Sequence, residues 1–209
     1  MWALVESGSV SKIYTRPKQI QINDINYPSN IFMLWSSSEL EAIGIYQVII
    51  DNTNLKDKEY YINTNQSFEF KTSVTVNSVD YTNVVVASYG TATALPLDNI
   101  LFTAQNETDG LGIEGEIKQY GLKSKSKDLI NAQAGSILQP TDWMVIREAD
   151  GGTAVPSSIT TQRAAVRTKA NAMCTQIDNA ADVDALAALY EYNDATPAVR
   201  PLGEFPTVG

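Results

Sequence analysis

Short apolar runs separated by turn-forming residues dominate the first 95 positions. Trp2–Val5 and Val10–Thr15 flank a Glu-Ser-Gly-Ser cluster, which predicts an opening β-hairpin. Further runs recur at intervals of roughly ten residues and are rich in β-branched and aromatic side chains. These runs are Gln19–Ile22, Ile45–Ile50, Glu59–Asn63, Phe68–Lys71, Val74–Asn77 and Val84–Ser88. The pattern predicts an antiparallel β domain over residues 1–95.

One short helix is expected within this β-rich region. Ser36 with Glu39, or Ser38 with Glu41, has the spacing of a capping box, and Gly44 supplies a stop. The helix should therefore begin near residues 36–38 and end at Gly44. Turns are expected where small polar residues separate the strands, at Asn23-Asp24 and at residues 77–80.

Beyond residue 95 the pattern changes. The pattern predicts that residues 96–115 form a joint, a connecting segment between the two halves. It predicts a helical domain over residues 116–192. The clearest helix there opens at Pro156 and places five apolar residues on one face: Ile159, Val166, Ala170, Met173 and Ile177. Asp182 is the expected N-cap of a last short helix. Residues 193–209 contain three prolines and predict an extended C-terminal tail. The expected fold class is α+β.

Composition and charge exclude several classes of function. The 209 residues include no His and one Cys, so imidazole-assisted nucleophiles, imidazole metal sites and internal disulfides are excluded. With 15 basic against 24 acidic residues, nucleic acid is not an expected partner. No apolar run has the ~18 residues that a membrane span requires, and Met1–Val5 is too short for a signal peptide. A soluble protein of a reducing cytoplasm, without a cofactor, is expected.

Two patterns resemble catalytic or nucleotide-binding chemistry. Residues 110–115 match GxGxxG, but a polar loop precedes them instead of a strand, which favours a hinge over a nucleotide site. Asp142, Glu148 and Asp150 are close in sequence, as carboxylate catalysis would need. Nothing near them predicts a cleft, so capping and turn roles are favoured. No catalytic residue is predicted, although a glycan-cleaving enzyme stays open as a minor alternative.

Basic residues are concentrated in the helical region. Residues 116–170 carry eight basic and five acidic side chains, so this segment can attract acidic parts of its own fold or of a partner. Arg163 and Arg167 are one helical turn apart and repel one another. An acidic partner segment or an aromatic surface such as Trp143 would offset that repulsion, and the alternative is that both arginines point into water.

The segment from Pro140 to Arg167 carries a resemblance to a known group. It reads PTDWMVIR and, after Ala154-Val155-Pro156, continues ITTQRAAVR. This resembles a TDW motif followed by P-x-x-I-x-x-aromatic-R-x-x-V-R, found near the C-terminus of small tail-associated proteins of tailed bacteriophages of the marine-phage type. The opening Met1–Val5 is also similar to the start of those proteins. Gln162 departs from the motif, which has an aromatic residue there.

The resemblance implies a non-enzymatic tail protein. It implies binding to the tail fibre, as an assembly chaperone or accessory factor, with Trp143 as an anchor and Arg147, Arg163 and Arg167 as partner-binding residues. The alternative is a structural virion component such as a baseplate, collar or fibre-connector subunit, with homo-oligomers possible. The expected location is the host cytoplasm during assembly, or the tail of the virion.

Overall fold

The computed structural model describes residues 1–206 and divides the chain into two compact units. The first unit spans Met1–Thr93 and the second begins at Ala94. The division lies close to residue 95, where the hydrophobic pattern changes. The two units are described separately below.

A five-stranded sheet forms the centre of the first unit. The elements, in chain order, are β1 (Trp2–Glu6), β2 (Ser9–Tyr14), β3 (Ile20–Ile22), β4 (Ile25–Tyr27), α1 (Ile31–Leu34), α2 (Ser37–Ala42), β5 (Ile45–Asp51), β6 (Tyr61–Ile62), β7 (Ser67–Val76) and β8 (Val79–Ser88), with β9 (Thr93–Ala94) at the boundary. The strand order is β2-β1-β5-β8-β7, and β3 and β4 form a separate hairpin.

The sheet is mixed, so the prediction of an antiparallel sheet is wrong at one pair. β5 and β8 run parallel, with Val48 opposite Val85 and Ile50 opposite Ala87, while the other pairs are antiparallel. The cause is topological. A long connection follows β5 and leads to β7 at the edge of the sheet. The next strand, β8, lies between β5 and β7. Regular strand spacing cannot reveal this, because it implies only that consecutive strands are neighbours.

The predicted turns and helix cap are confirmed. Residues in the left-handed region form the two central positions of three hairpin turns, at Ser7-Gly8, Asn23-Asp24 and Asn77-Ser78. Ser36 closes a capping box with Glu39 at the start of α2. Gly44, at φ +79°, ends that helix region, and a Cβ there would approach the Val5 carbonyl oxygen at 3.0 Å.

Three strand predictions are corrected in length. Phe68–Lys71 and Val74–Asn77 form one continuous strand, β7, because the intervening Thr72 and Ser73 are compatible with extended structure. The predicted strand Glu59–Asn63 is reduced to the two residues of β6. Successive residues of β1 point to opposite faces of the sheet, and each face has its own apolar cluster. Leu4 packs with Tyr14, Ile31 and Ile45 on one face. Ala3 packs with Val48 and Val85 on the other.

The second unit contains a short β-ribbon and a helical part. Its elements are β10 (Ile100–Leu101), α3 (Ala104–Thr108), β11 (Ile117–Gln119), α4 (Leu122–Leu138), a 3₁₀ turn (Gln139–Thr141), α5 (Asp142–Ala149), α6 (Ser157–Asp178) and α7 (Val183–Ala188). The predicted joint 96–115 therefore holds β10 and α3, and the predicted helical domain begins with a strand. β10 pairs with β11, which orders this region.

Helices α4 and α6 pack against each other, and their buried residues confirm the predicted stripe except at its start. Val166, Ala170, Met173 and Ile177 of α6 are buried, whereas Ile159 is only half-buried. The facing helix contributes Leu122, Ile130 and Ala134. Asp182 caps α7, as predicted, by accepting a hydrogen bond from the Ala185 N–H at 2.8 Å.

The prediction of an extended tail over 193–209 is not borne out in its described part, residues 193–206. Leu202 is 0% exposed, and its N–H donates to the Leu189 carbonyl at 3.0 Å. From α6, Lys169 donates to the Leu202 carbonyl at 2.8 Å and Gln176 to the Pro201 carbonyl at 3.2 Å. An apolar side chain in a segment that otherwise looks polar thus fixes the tail to the helices. Residues 207–209 lie outside the described residues.

Candidate functional site

The α4–α5 junction is held by the guanidinium of Arg163, which projects from α6. It donates to the Leu138 carbonyl at 2.8 Å, to the Thr141 hydroxyl at 2.6 Å and to Asp142 Oδ1 at 2.7 Å. The side chain is only 12% exposed. Thr141 and Asp142 are the first two residues of the TDW motif. They therefore contact the motif arginine directly, and together they fix the start of α5.

Helix α5 is fixed at its other end by Arg147. Its Nε donates to the Thr153 carbonyl at 3.1 Å, in the loop that leads to α6. The guanidinium lies over the Trp143 ring, 4.9 Å from the centroid, one turn earlier on the same helix. This cation–π contact holds one face of the indole. Polar contacts at both ends therefore position a helix that has no apolar anchor of its own.

Three of the four large apolar side chains of α5 are exposed, and Met144 is half-buried. None of the eight residues of α5 is buried. Trp143 is 54% exposed and Ile146 62%, and Val145 is also exposed. A helix that is apolar around much of its circumference is normally covered by other surfaces. The arrangement thus presents an indole and two aliphatic side chains on a rigidly held helix.

The sequence-predicted arginines do not form one partner-facing group. Arg163 makes three hydrogen bonds within the unit, and its contact with a partner stays a prediction. Asp142 of the same unit pairs with Arg163, an internal acidic group that the sequence analysis did not identify. Arg167 itself is exposed. Trp143 and Arg147 are brought together, and they form the exposed part of the candidate site.

Most other basic residues of the segment 116–170 are also compensated within the second unit. Lys123 pairs with Asp98 at 3.3 Å and Lys127 with Asp178 at 2.7 Å. Lys169 donates to a backbone carbonyl of the C-terminal segment. These contacts favour internal compensation over the alternative of an acidic partner. The exposed surface of α5 combines the apolar Trp143, Val145 and Ile146 with the carboxylates of Asp142 and Glu148.

The patterns that resembled enzyme chemistry lie in other settings. Residues 110–115 connect α3 to β11 inside the second unit, so the expected hinge between the two halves is not placed there. One carboxylate oxygen of Asp142 is occupied by Arg163. Burial raises the pKa of the Cys174 thiol, which disfavours the reactive thiolate. Within residues 1–206, no group of three potential metal ligands is found, and no helix is long and apolar enough to cross a membrane.

Sequence reasoning missed that the apolar run at 143–146 is a helix. The signal was present, since four apolar residues follow a Thr-Asp pair that suits a helix start and precede a basic residue suited to its end. Several other apolar residues of the second unit are exposed as well: Leu111, Ile113, Ile117, Tyr120 and Leu129.

Comparison with known protein families, curated proteins and solved structures finds no significant match.

Proposed function

We propose that this chain is a tail-associated protein of tailed bacteriophages that binds the tail fibre through α5, as an assembly chaperone or accessory factor and without catalysis. The resemblance of the segment from Pro140 to Arg167 supplies the class of protein. The exposure of Trp143 and Ile146 on a helix fixed at both ends is the observation that carries the proposal.

The chemistry of this surface suits a protein partner. Tryptophan and arginine are the residues that most often carry binding energy at protein interfaces, where the aromatic ring enters a dehydrated pocket. Here Arg147 holds the Trp143 ring in place, so little side-chain entropy is lost on binding. Arg147 and Arg163 act mainly inside the unit. The expected complementary surface on the fibre is therefore an apolar groove, with Arg167 at its rim for orientation.

Co-expression of the chain with the tail fibre of the phage that encodes it tests this function. Stoichiometric co-purification is expected, together with a higher yield of soluble fibre trimers or oligomers than the fibre gives alone. If the fibre folds and assembles equally well without the chain, and no complex is recovered, the proposal is overturned.

A structural role in the virion is the second candidate, and the apolar residues exposed outside α5 favour it. Ile117 and Tyr120 lie on and beside the β10–β11 ribbon, away from the TDW segment. A permanent subunit buries such residues in its neighbours, including copies of itself around a tail axis. Quantitative mass spectrometry of purified virions separates the roles. A fixed copy number in particles supports the structural role, whereas abundance in infected-cell lysate with absence from particles supports the chaperone.

A further inference from the structure

A polar cleft of about 430 Å³ lies in the first unit, beside the far half of the β7–β8 hairpin. β8 pairs with β7 along its whole length but with β5 only from Val85 onward. The hairpin therefore extends beyond β5 as a two-stranded arm. One side of the cleft is formed by this arm, at residues 80–84, and the other by α2 and the starts of β1 and β5. The cleft belongs to the first unit, whereas α5 belongs to the second.

Hydrogen-bonding side chains dominate the lining of this cleft. They comprise two carboxylates, two amides and two hydroxyls: Glu41, Asp80, Gln47, Asn83, Ser37 and Thr82. None of the described residues that line the cleft is a lysine or an arginine. The aromatic residues Trp2 and Tyr81 also line it. A ligand in the cleft therefore meets hydrogen-bond donors, hydrogen-bond acceptors and apolar surface within a few ångströms.

Internal hydrogen bonds orient the two carboxylates and leave them with capacity for more. The Asn83 amide donates to Glu41 Oε2 at 3.1 Å, which connects the hairpin arm to α2. The Thr75 hydroxyl donates to Asp80 Oδ1 at 2.6 Å. A carboxylate accepts about four hydrogen bonds, so both groups can bind further donors. Asn83 has a φ of +51° within its strand, a left-handed conformation that few residue types other than Gly and Asn adopt readily.

The mixture of donors and acceptors identifies the class of ligand. An anion would face two carboxylates, and a cation would use those carboxylates but not the amide N–H groups of Gln47, while an N–H of Asn83 already bonds Glu41. A ligand with several adjacent hydroxyl groups can both donate and accept hydrogen bonds. It therefore matches the carboxylates, amides and hydroxyls of the lining together. The C–H faces of a sugar ring can also pack on aromatic surface. We propose that this cleft binds a neutral saccharide.

Titration of the ¹⁵N-labelled full chain with neutral oligosaccharides tests the proposal. The probes are maltohexaose, cellohexaose, chitotetraose and mannotriose, and spermidine is the cationic comparison. At least one saccharide is expected to shift the amide signals of residues 37–47 and 80–84, and spermidine is not. If all four saccharides leave these signals unmoved, or if spermidine alone moves them, the assignment is overturned.

Charge-neutral substitutions then locate the saccharide. Asp80→Asn and Glu41→Gln keep the shape and one acceptor of each side chain, so the contacts from Thr75 and Asn83 can persist. Each is expected to weaken binding about tenfold, because hydrogen bonds to ionised acceptors are the stronger ones. Glu59→Gln, an exposed carboxylate outside the cleft, is the matched control and should bind as the wild type does. Equal affinity in all three variants would place the saccharide elsewhere and contradict the proposal.

Discussion

At the residue scale, Arg163 stabilises the fold, whereas the motif alone predicts that it binds a partner. Its guanidinium satisfies a helix-terminal carbonyl, a hydroxyl and a carboxylate at one junction. Such carbonyls have no partner within their own helix, so a side-chain donor from α6 is a direct way to satisfy them. The spacing between the TDW residues and Arg163 thus allows a side chain of α6 to reach the junction between α4 and α5.

Replacement of this arginine is expected to destabilise the fold. Arg163→Met keeps the length of the side chain but removes its donors, and should lower the free energy of unfolding by about 1–3 kcal/mol. Arg167→Met, one turn along the same helix and exposed, should change it by less than about 0.5 kcal/mol. Urea denaturation followed by circular dichroism measures both. Equal losses in the two variants would show that Arg163 does not hold the junction.

The pKa of Glu204 gives a second prediction at this scale. A hydrogen bond from the Tyr192 hydroxyl, at 2.6 Å, and the nearby Arg200 hold the pKa of this carboxyl below its ordinary value of 4.5. A depressed folded-state pKa adds stability above the unfolded-state value, and this is lost as pH falls through the folded-state value. The contribution is small, because the Glu204 side chain is largely exposed.

Urea unfolding of wild type and Glu204→Gln at neutral and acidic pH measures this effect. The wild type should be the more stable at pH 7, and the difference should shrink as the pH falls below 4.5. A difference that is the same at both pH values would exclude a role for ionised Glu204 in holding the C-terminal segment.

At the element scale, the structure separates what local sequence predicts from what it does not. Hairpin turns such as Asn77-Ser78 and the Ser36–Glu39 capping box depend on residues that are adjacent or three apart, and they were predicted. The parallel pairing of β5 with β8 and the burial of Leu202 depend on contacts between distant positions. No local pattern carries that information, because a lone leucine among prolines looks the same whether it is docked or free.

The docked C-terminal segment should be essential to the helical unit. Leu202→Ala is expected to cost about 2–5 kcal/mol, because it removes a fully buried side chain and leaves a cavity beside α6 and α7. Val199→Ala, three residues earlier and half-exposed, should cost much less. Thermal unfolding of both variants tests this. Similar melting temperatures for Leu202→Ala and the wild type would mean that the segment is not part of the core.

At the scale of the whole molecule, the sequence named the residues of the candidate site but did not predict their arrangement. Trp143 and Arg147 were identified because a resemblance drew attention to them. The exposure of Trp143 on α5 and the internal hydrogen bonds of Arg163 depend on how α4 and α6 pack. The sequence alone therefore did not show them. The cleft in the first unit had no sequence signal, because its residues come from four separate segments. The two proposals thus concern two surfaces, each within its own unit.

The affinity of the purified chain for the purified tail fibre, compared with that of Trp143→Ala, tests the central claim most directly. The substitution removes an exposed side chain, so the melting temperature should stay near that of the wild type. Binding measured by calorimetry should weaken at least tenfold, as loss of an aromatic anchor at an interface does. Ile62→Ala, a similarly exposed apolar residue of the first unit, should bind as tightly as the wild type. Equal binding by wild type and Trp143→Ala would contradict the claim that α5 binds the fibre.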